Sequence, residues 1–252
     1  GNTSASGSSE PAVPVSASDP AIPDPNQPLP EGAAKASAVR SMFDAIAPRY
    51  DVVNRIMTFR LDVGWRRRTV GNLGLTPGST VLDLACGTGD LCRDLERAGH
   101  HPVGLDVSWG MLAAARTDAP LLHGDALSLP VPTGSVDGVT CGFALRNFVS
   151  LPEFLAEVAR ALRPGGRMAL LEVDRPANPV MRIGHGVYFG RGVPFIGGLF
   201  SDRDAYRYLP RSVAYLPEEA DLMDLISGAG FADVAKERLS GGIAQLLTAT
   251  RA

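Results

Sequence analysis

The stretch "VLDLACGTGDL", residues 81–91, decides the fold of this chain. Apolar residues cluster around one aspartate as in a buried strand, and Gly87 and Gly89 then allow a turn tight enough for a ligand to touch backbone before a helix begins. The N-terminus of such a helix presents unpaired N–H groups that favour a carboxylate or a phosphate. A nicotinamide or flavin site asks for a third glycine three residues after the second. That position is Cys92, so the dinucleotide fingerprint fails. Gly-x-Gly alone fits equally well a strand-helix turn that holds nothing.

Outward from this turn, short β-branched or leucine-rich runs alternate with helical stretches. The spacing predicts strands over 80–85, 102–105, 121–123, 136–142, 167–173, 232–239 and 243–250. It predicts helices over 89–98, 109–116, 151–162 and 218–228, the third stopped by Pro164 and Gly165 in "RPGG". Alternation of this kind means parallel strands joined by right-handed crossovers, with ligands at the carboxyl ends of the strands. Only Ser240, Gly241 and Gly242 separate the last two strands, which makes them an antiparallel hairpin. The expected fold is α/β, a mostly parallel sheet of seven strands with one antiparallel strand near its edge.

Three aspartates give the turn its neighbours. Asp106 in "GLDVS" ends the second strand 17 residues after Gly89, where a carboxylate accepts hydrogen bonds from both hydroxyls of a ribose. Asp125 in "HGDALSLP" follows the third strand, and Asp83 lies inside the first, where it needs partners such as loop N–H groups. Each alone reads as a cap or turn residue. At three consecutive strands they outline a nucleoside pocket that lacks a glycine loop for a pyrophosphate.

Composition excludes other classes. A chain of 252 residues with 45% hydrophobic residues can bury a large core, and a net charge of −3 gives no reason to expect a nucleic-acid partner. Cys86, Cys92 and Cys141 fit no zinc spacing and read as buried or free thiols in a reducing compartment. No metal is expected, since His100 and His101 share a surface turn and His123 and His185 stand alone. No run approaches the roughly 18 consecutive apolar residues of a membrane span, which points to the cytoplasm. Residues 1–36 hold seven prolines, many Ser and Ala, and no aromatic residue, and are expected to be a disordered tail or a Pro-rich docking peptide. Residues 37–252 then form the domain. It opens with a helical cap over 37–75, where Val39, Met42, Phe43 and Ile46 share one face, and is interrupted at 174–217 by a Gly-, Pro- and aromatic-rich stretch too long for a plain connection.

Together, "LDLACGTGDL", "GLDVSWGML", "GDALSLP" and "LRPGG" resemble the signature of class I methyltransferases that use S-adenosylmethionine (SAM). "FDAIAPRYDVVNRIMTF" with the following "WRRR", then "GFALRNF", "DAYRYLPRSV" and "GGIAQLLTA", narrow the resemblance to the quinone-ring C-methyltransferases of menaquinone and ubiquinone biosynthesis, the UbiE/MenG type. It covers almost all of 39–251. The resemblance implies a Rossmann-like sheet with helices on both faces and SAM as cofactor. It assigns Thr88 and the backbone of Gly87 and Gly89 to the methionine part of SAM, Asp106 to the ribose, and Asp125 with Ala126 to the adenine, and Asp83 is counted with them among the cofactor-binding residues. Met111 would cover the adenine face and Tyr50 in "APRYD" would close over the cofactor. Gly142 stands where many members carry serine, which leaves backbone contact only.

The implied activity is methylation of a ring carbon of a reduced 1,4-quinol, with demethylmenaquinol as acceptor. Removing a neighbouring hydroxyl proton pushes charge into the ring, and the carbon then attacks the sulfonium methyl in line. Arg146 and Asn147 in "LRN" are the candidate catalytic pair, the guanidinium orienting a water or stabilising an oxyanion; the plain alternative is a salt bridge holding the loop. Tyr206, with Tyr208 and Asp51, is a candidate substrate contact. The 174–217 stretch suits a lid over a polyisoprenoid tail, or else a homodimer surface or extra core. "WRRR", residues 65–68, is a candidate contact with anionic headgroups at the inner face of the membrane, or else a solvated helix face. "EVDRP" departs from the "EFS" of the family, with Asp174 and Arg175 in place of a small polar residue. That departure leaves a soluble phenolic or polyketide acceptor as one alternative, and a SAM-binding protein without turnover as another.

Overall fold

The computed structural model describes residues 30–174 and 211–252. Strands β1 (Thr80–Leu84), β2 (His101–Asp106), β3 (Leu121–His123), β4 (Val136–Gly142), β5 (Leu162–Val173), β6 (Phe231–Leu239) and β7 (Ala244–Arg251) form one sheet in the order β3-β2-β1-β4-β5-β7-β6. All neighbours pair in parallel except β7, which runs antiparallel to β5 and to β6. The reversal follows from the hairpin turn: Ser240, Gly241 and Gly242 all take left-handed φ values, 48°, 72° and 93°, and close a connection too short for a crossover.

Alternation along the strands divides the core in two. Leu82, Leu84, Val139, Cys141, Met168, Leu170 and Leu247 pack in one cluster with Phe154, Val158, Leu222 and Ile226 of helices α6 (Leu151–Ala161) and α7 (Glu219–Gly228). Val81, Ala169, Leu171 and Leu246 pack in another with Trp65, Val70, Leu91 and Leu95 of α3 (Leu61–Asn72) and α4 (Asp90–Arg97). Helices therefore cover both faces, as period-2 burial requires of a central sheet. Helix α6 illustrates the local code: Ser150 accepts from Glu153 N at 3.3 Å as N-cap, and Leu151, Phe154, Leu155 and Val158 recur at helical spacing toward the sheet. Helices α1 (Gly32–Ile46), α2 (Tyr50–Met57) and the short α5 (Trp109–Ala113) gather over the carboxyl ends of the strands.

Several boundaries differ from expectation for identifiable reasons. Helix α1 starts at Gly32, inside the segment that composition assigns to a tail, because the alanines and lysine that follow it in "GAAKA" are good helix formers and Lys35 is held on the domain. The Lys35 Nζ donates to the Phe148 carbonyl at 2.8 Å and lies 3.7 Å over the Tyr215 ring, and burial lowers its pKa to about 8. Strand β5 opens five residues early, at Leu162. Pro164 holds Arg163 extended, and the pairing jumps from Val136–Leu162 to Gly138–Arg167, so "RPGG" forms a bulge in the strand while α6 ends at Ala161. Helix α5 ends at Ala113, three residues early. The rest of the expected tail, and nearly all of the 174–217 stretch, lie outside the described residues.

The strand order reverses between β1 and β4. The crevice beyond their carboxyl ends is where a sheet of this topology holds ligands.

Candidate active site

Two loops wall this crevice, and both carry backbone strain. Ala85 after β1 and Phe143 after β4 sit at φ 52° and 59°, conformations costly for residues with a Cβ and concentrated at functional sites. Gly89 is at φ 84°, and a Cβ there would meet Thr117 Cγ2 at 2.7 Å; a Cβ on Gly87 would meet nothing within 4 Å. The turn thus needs glycine at 89 for space and leaves Gly87 open to the groove.

Asp106 ties the turn to β2. Its two carboxylate oxygens accept from Gly87 N and Ser108 N, each at 2.8 Å, and burial raises its pKa against these backbone bonds. Each oxygen keeps a second lone pair for a further donor. Ser108 caps α5, accepting from Met111 N at 3.1 Å, and Asp44 of α1 accepts from the Ser108 hydroxyl at 2.5 Å and Gly110 N at 2.9 Å. Met111 is thereby fixed, 2% exposed, against the cleft. Asp125 lies at the surface, accepts from Leu127 N at 2.9 Å, and leaves Ala126 buried beside the cleft.

The cleft encloses about 970 Å³ including its mouth, bordered by Asp106, Met111, Asp125, Ala126, Gly142 and Asn147 and roofed by Val39 and Phe43 of α1. A smaller groove of about 460 Å³ continues it across Tyr50, Ala85, Gly87 and Gly142 to Asp83, Thr88, Arg66 and Asp90. Nine of the ten residues expected to hold the cofactor border one or both, and the tenth, Gly89, shapes the turn between them.

Asp83 is 1% exposed at the floor of the smaller groove. Its partners are side chains, in place of the loop N–H groups expected: the Thr140 hydroxyl donates to Oδ1 at 2.8 Å and the Cys92 thiol to Oδ2 at 3.5 Å. Thr140 is its register partner on β4, so sheet pairing itself supplies the bond. Burial pushes the carboxyl from an ordinary 3.8 up to about 7. The Thr88 hydroxyl donates to Asp51 of α2, so Asp51, expected to touch substrate, instead reaches the glycine turn.

The "LRN" segment divides its roles. Arg146 does not border the cleft. Its Nη1 pairs with Glu172 and donates to the Phe143 carbonyl at 2.8 Å, its Nε donates to Ser212 at 3.0 Å, and Glu172 also accepts from Arg146 N and Val173 N. The salt-bridge alternative holds for this residue: it braces the loop after β4. Asn147 does border the cleft, is 8% exposed, and neither atom of its amide has a partner among the described residues. Tyr206 and Tyr208 lie outside the described residues.

Two other expectations are corrected. Trp65 and Arg66 of "WRRR" face inward, Trp65 Nε1 donating to Ser240 at 2.9 Å, while Arg67 and Arg68 are exposed and Arg68 pairs with Glu237 at 3.1 Å, so only half of the run lies on the helix surface. His100 is buried, with only His101 exposed in their pair. Sequence reasoning does not find Asp44 or Arg66. Arg66 has a signal, Asp62 four residues before it on the same helix; Asp44 has none, since its partners lie over 60 residues away.

A seven-stranded sheet of this order, with an acidic residue ending β2 and a glycine turn after β1 over one nucleoside-sized groove, defines a class I methyltransferase. Solved structures agree on the fold: the methyltransferase solved with the Haloferax volcanii Trm112 methyltransferase activator aligns with 83% of this chain and 97% of its own (TM-score 0.61, 21% identity). Haemonchus contortus phosphoethanolamine N-methyltransferase 2, solved with SAM, aligns with 74% of this chain and 52% of its own (TM-score 0.56, 14% identity). The chain belongs to the ubiE/COQ5 methyltransferase family, whose sequence model matches residues 32–251. It is similar to the demethylmenaquinone methyltransferase of Thermus thermophilus, 44% identical over 81% of this chain and 97% of that one. It is also similar to the ubiquinone/menaquinone biosynthesis C-methyltransferase UbiE of Geobacter sulfurreducens, 37% identical over 85% and 88%.

Proposed function

We propose that this methyltransferase binds SAM along the continuous groove and methylates a ring carbon of reduced demethylmenaquinol. The observation that carries the reading is the joining of a polar groove, ending at Asp83 and Thr88, to a cleft with an apolar roof and an amide, Asn147, that has no partner among the described residues. The names of the Thermus and Geobacter relatives support the acceptor. SAM, when bound, supplies an electrophilic methyl group on a sulfonium whose departure leaves a neutral thioether.

The residues present fit that group. Asp106 has lone pairs for ribose hydroxyls, Met111 and Ala126 an apolar slot for adenine with Asp125 at its rim, and Tyr50 and the Gly142 backbone flank the point where groove and cleft meet. The acidic end, Asp83 and Asp90, suits an ammonium. Val39, Phe43, Phe143 and Phe148 exclude water from the acceptor side, which keeps a deprotonated hydroxyl from being resolvated. Asn147 accepts from or donates to the acceptor's hydroxyl, and Arg146, clamped to Glu172, positions Asn147 without touching the reacting atoms.

The test is incubation with methyl-labelled SAM and chemically reduced demethylmenaquinone. Label should appear in the naphthoquinol ring. Labelling of soluble phenols alone replaces the acceptor with a natural-product phenol, and tight SAM binding with no labelled acceptor makes the protein a binding module.

A further inference from the structure

Lys35 is a buried cation that the proposed chemistry leaves unused. It sits on α1, 5% exposed, with its Nζ 2.8 Å from the Phe148 carbonyl and 3.7 Å over the centre of the Tyr215 ring. A lysine that only tied a helix down would do so more cheaply at the surface beside an acid, since taking an ammonium out of water is expensive. Here burial lowers its pKa to about 8, and Glu31 at the cap of α1 opposes that only in part. Tyr215 is itself anchored, its hydroxyl donating to the Pro30 carbonyl just before the helix, and Arg146, two residues before Phe148, has Glu172 as its counter-charge. Three parts of the chain therefore converge on one ammonium: α1, the turn Val213–Tyr215 and the loop that follows Asn147.

What that ammonium fixes is the far side of the turn that carries Asn147. Neither atom of the Asn147 amide has a partner among the described residues, so its direction is set by the backbone beneath it. Leu145–Asn147 is a single 3-10 turn, closed by Asn147 N donating to the Ala144 carbonyl at 2.8 Å. On the near side, Arg146 N donates to Glu172 at 3.2 Å. On the far side Phe148 leaves the turn extended; its ring borders the cleft and stacks on Phe154 with centroids 4.3 Å apart, and its carbonyl accepts from Lys35. We infer that Lys35 is a positioning residue for methyl transfer: by holding the Phe148 carbonyl against α1 it sets the direction of the Asn147 amide toward the acceptor. It touches no reacting atom. A displacement of about 1 Å at such a contact lowers a rate about a hundredfold, so a hold two bonds away from it matters. This assignment rests on the proposal that Asn147 meets the acceptor's hydroxyl.

A double-mutant cycle tests it. Wild type, Lys35→Met, Asn147→Ala and the double variant are assayed anaerobically for kcat and KM with methyl-labelled SAM and reduced demethylmenaquinone, with thermal unfolding and S-adenosylhomocysteine affinity measured on each. Lys35→Met should lower kcat at least tenfold and leave S-adenosylhomocysteine affinity within about twofold of wild type; in the Asn147→Ala background the same substitution should cost no more than about twofold, because the group it positions is gone. A second measurement needs no Lys35 variant. Above about pH 8 the ammonium becomes an amine and its hold on ring and carbonyl weakens, so wild-type kcat relative to that of Asn147→Ala should fall about threefold or more from pH 7 to pH 9. Taking the ratio cancels the titration of Asp83 and of the quinol, which both proteins share. Equal costs of Lys35→Met in the two backgrounds overturn the assignment, and a ratio constant with pH does so even if Lys35→Met fails to fold. An Asn147→Ala protein as fast as wild type removes the role of Asn147 and the assignment with it, and a wild type that labels no quinol removes the acceptor reading itself.

Discussion

The substitution Asp83→Asn should stabilise the protein in alkaline solution and not in acid. In the folded chain burial raises this carboxyl from 3.8 to about 7, so the native state holds its proton more tightly than the unfolded chain does. The stabilisation this brings is complete below about pH 4 and is lost as pH rises through about 7; above that the native state carries an ionised, buried Asp83. Between 3.8 and about 7, at roughly 1.4 kcal/mol for each tenfold change in proton affinity, that cost comes to about 4 kcal/mol. An asparagine in its place has no such cost. It keeps one acceptor for the Thr140 hydroxyl but turns an NH2 toward the Cys92 thiol, a loss of about 1 kcal/mol. The variant should therefore be about 1 kcal/mol less stable than wild type near pH 4 and about 3 kcal/mol more stable near pH 8.5, measured by urea unfolding of both proteins at each pH. Taking the difference cancels every other titrating group that the substitution leaves alone. A gap between the two proteins that stays constant across this pH range would refute the reasoning, because it would mean Asp83 titrates alike in both states.

Asp106→Ala should weaken SAM binding at least tenfold in equilibrium dialysis, since it removes the proposed ribose acceptor and frees the Gly87 N–H it holds; unchanged affinity would remove the nucleoside-pocket argument. Glu172→Gln leaves the Arg146 guanidinium buried without its counter-charge and should cost about 3 kcal/mol in chemical denaturation, as breaking one side of a buried pair does; a cost under about 1 kcal/mol would mean the loop is not braced there.

How much of this is legible in the sequence follows the range of each interaction. The strands, the hairpin at 240–242 and the turn at Gly87 and Gly89 are local patterns, and the sheet repeats them with ends moved by a few residues. Asp106 is legible at a distance because topology alone carries the end of β2 to the turn after β1. Choice of partner is not. Arg146 finds Glu172, 26 residues on, and Arg66 finds Asp94, 28 residues on, and no spacing rule tells a guanidinium whether its acid will be a neighbour or a ligand. "WRRR" misleads for a related reason: four residues in a row point to different sides of a helix, and two of them turn inward. "RPGG" misleads because proline and glycine stop a helix and bulge a strand with equal ease.

Helix α1 is pinned at two ends. Asp44 fastens it to the start of α5 beside Met111, and Lys35 fastens it to Phe148, next to Asn147. A beam held at both supports cannot tilt at one without loading the other. The two halves of the cleft therefore share a single roof, and whatever first fills the space beneath Met111 and Phe43 sets the headroom over Asn147 for the molecule that enters second.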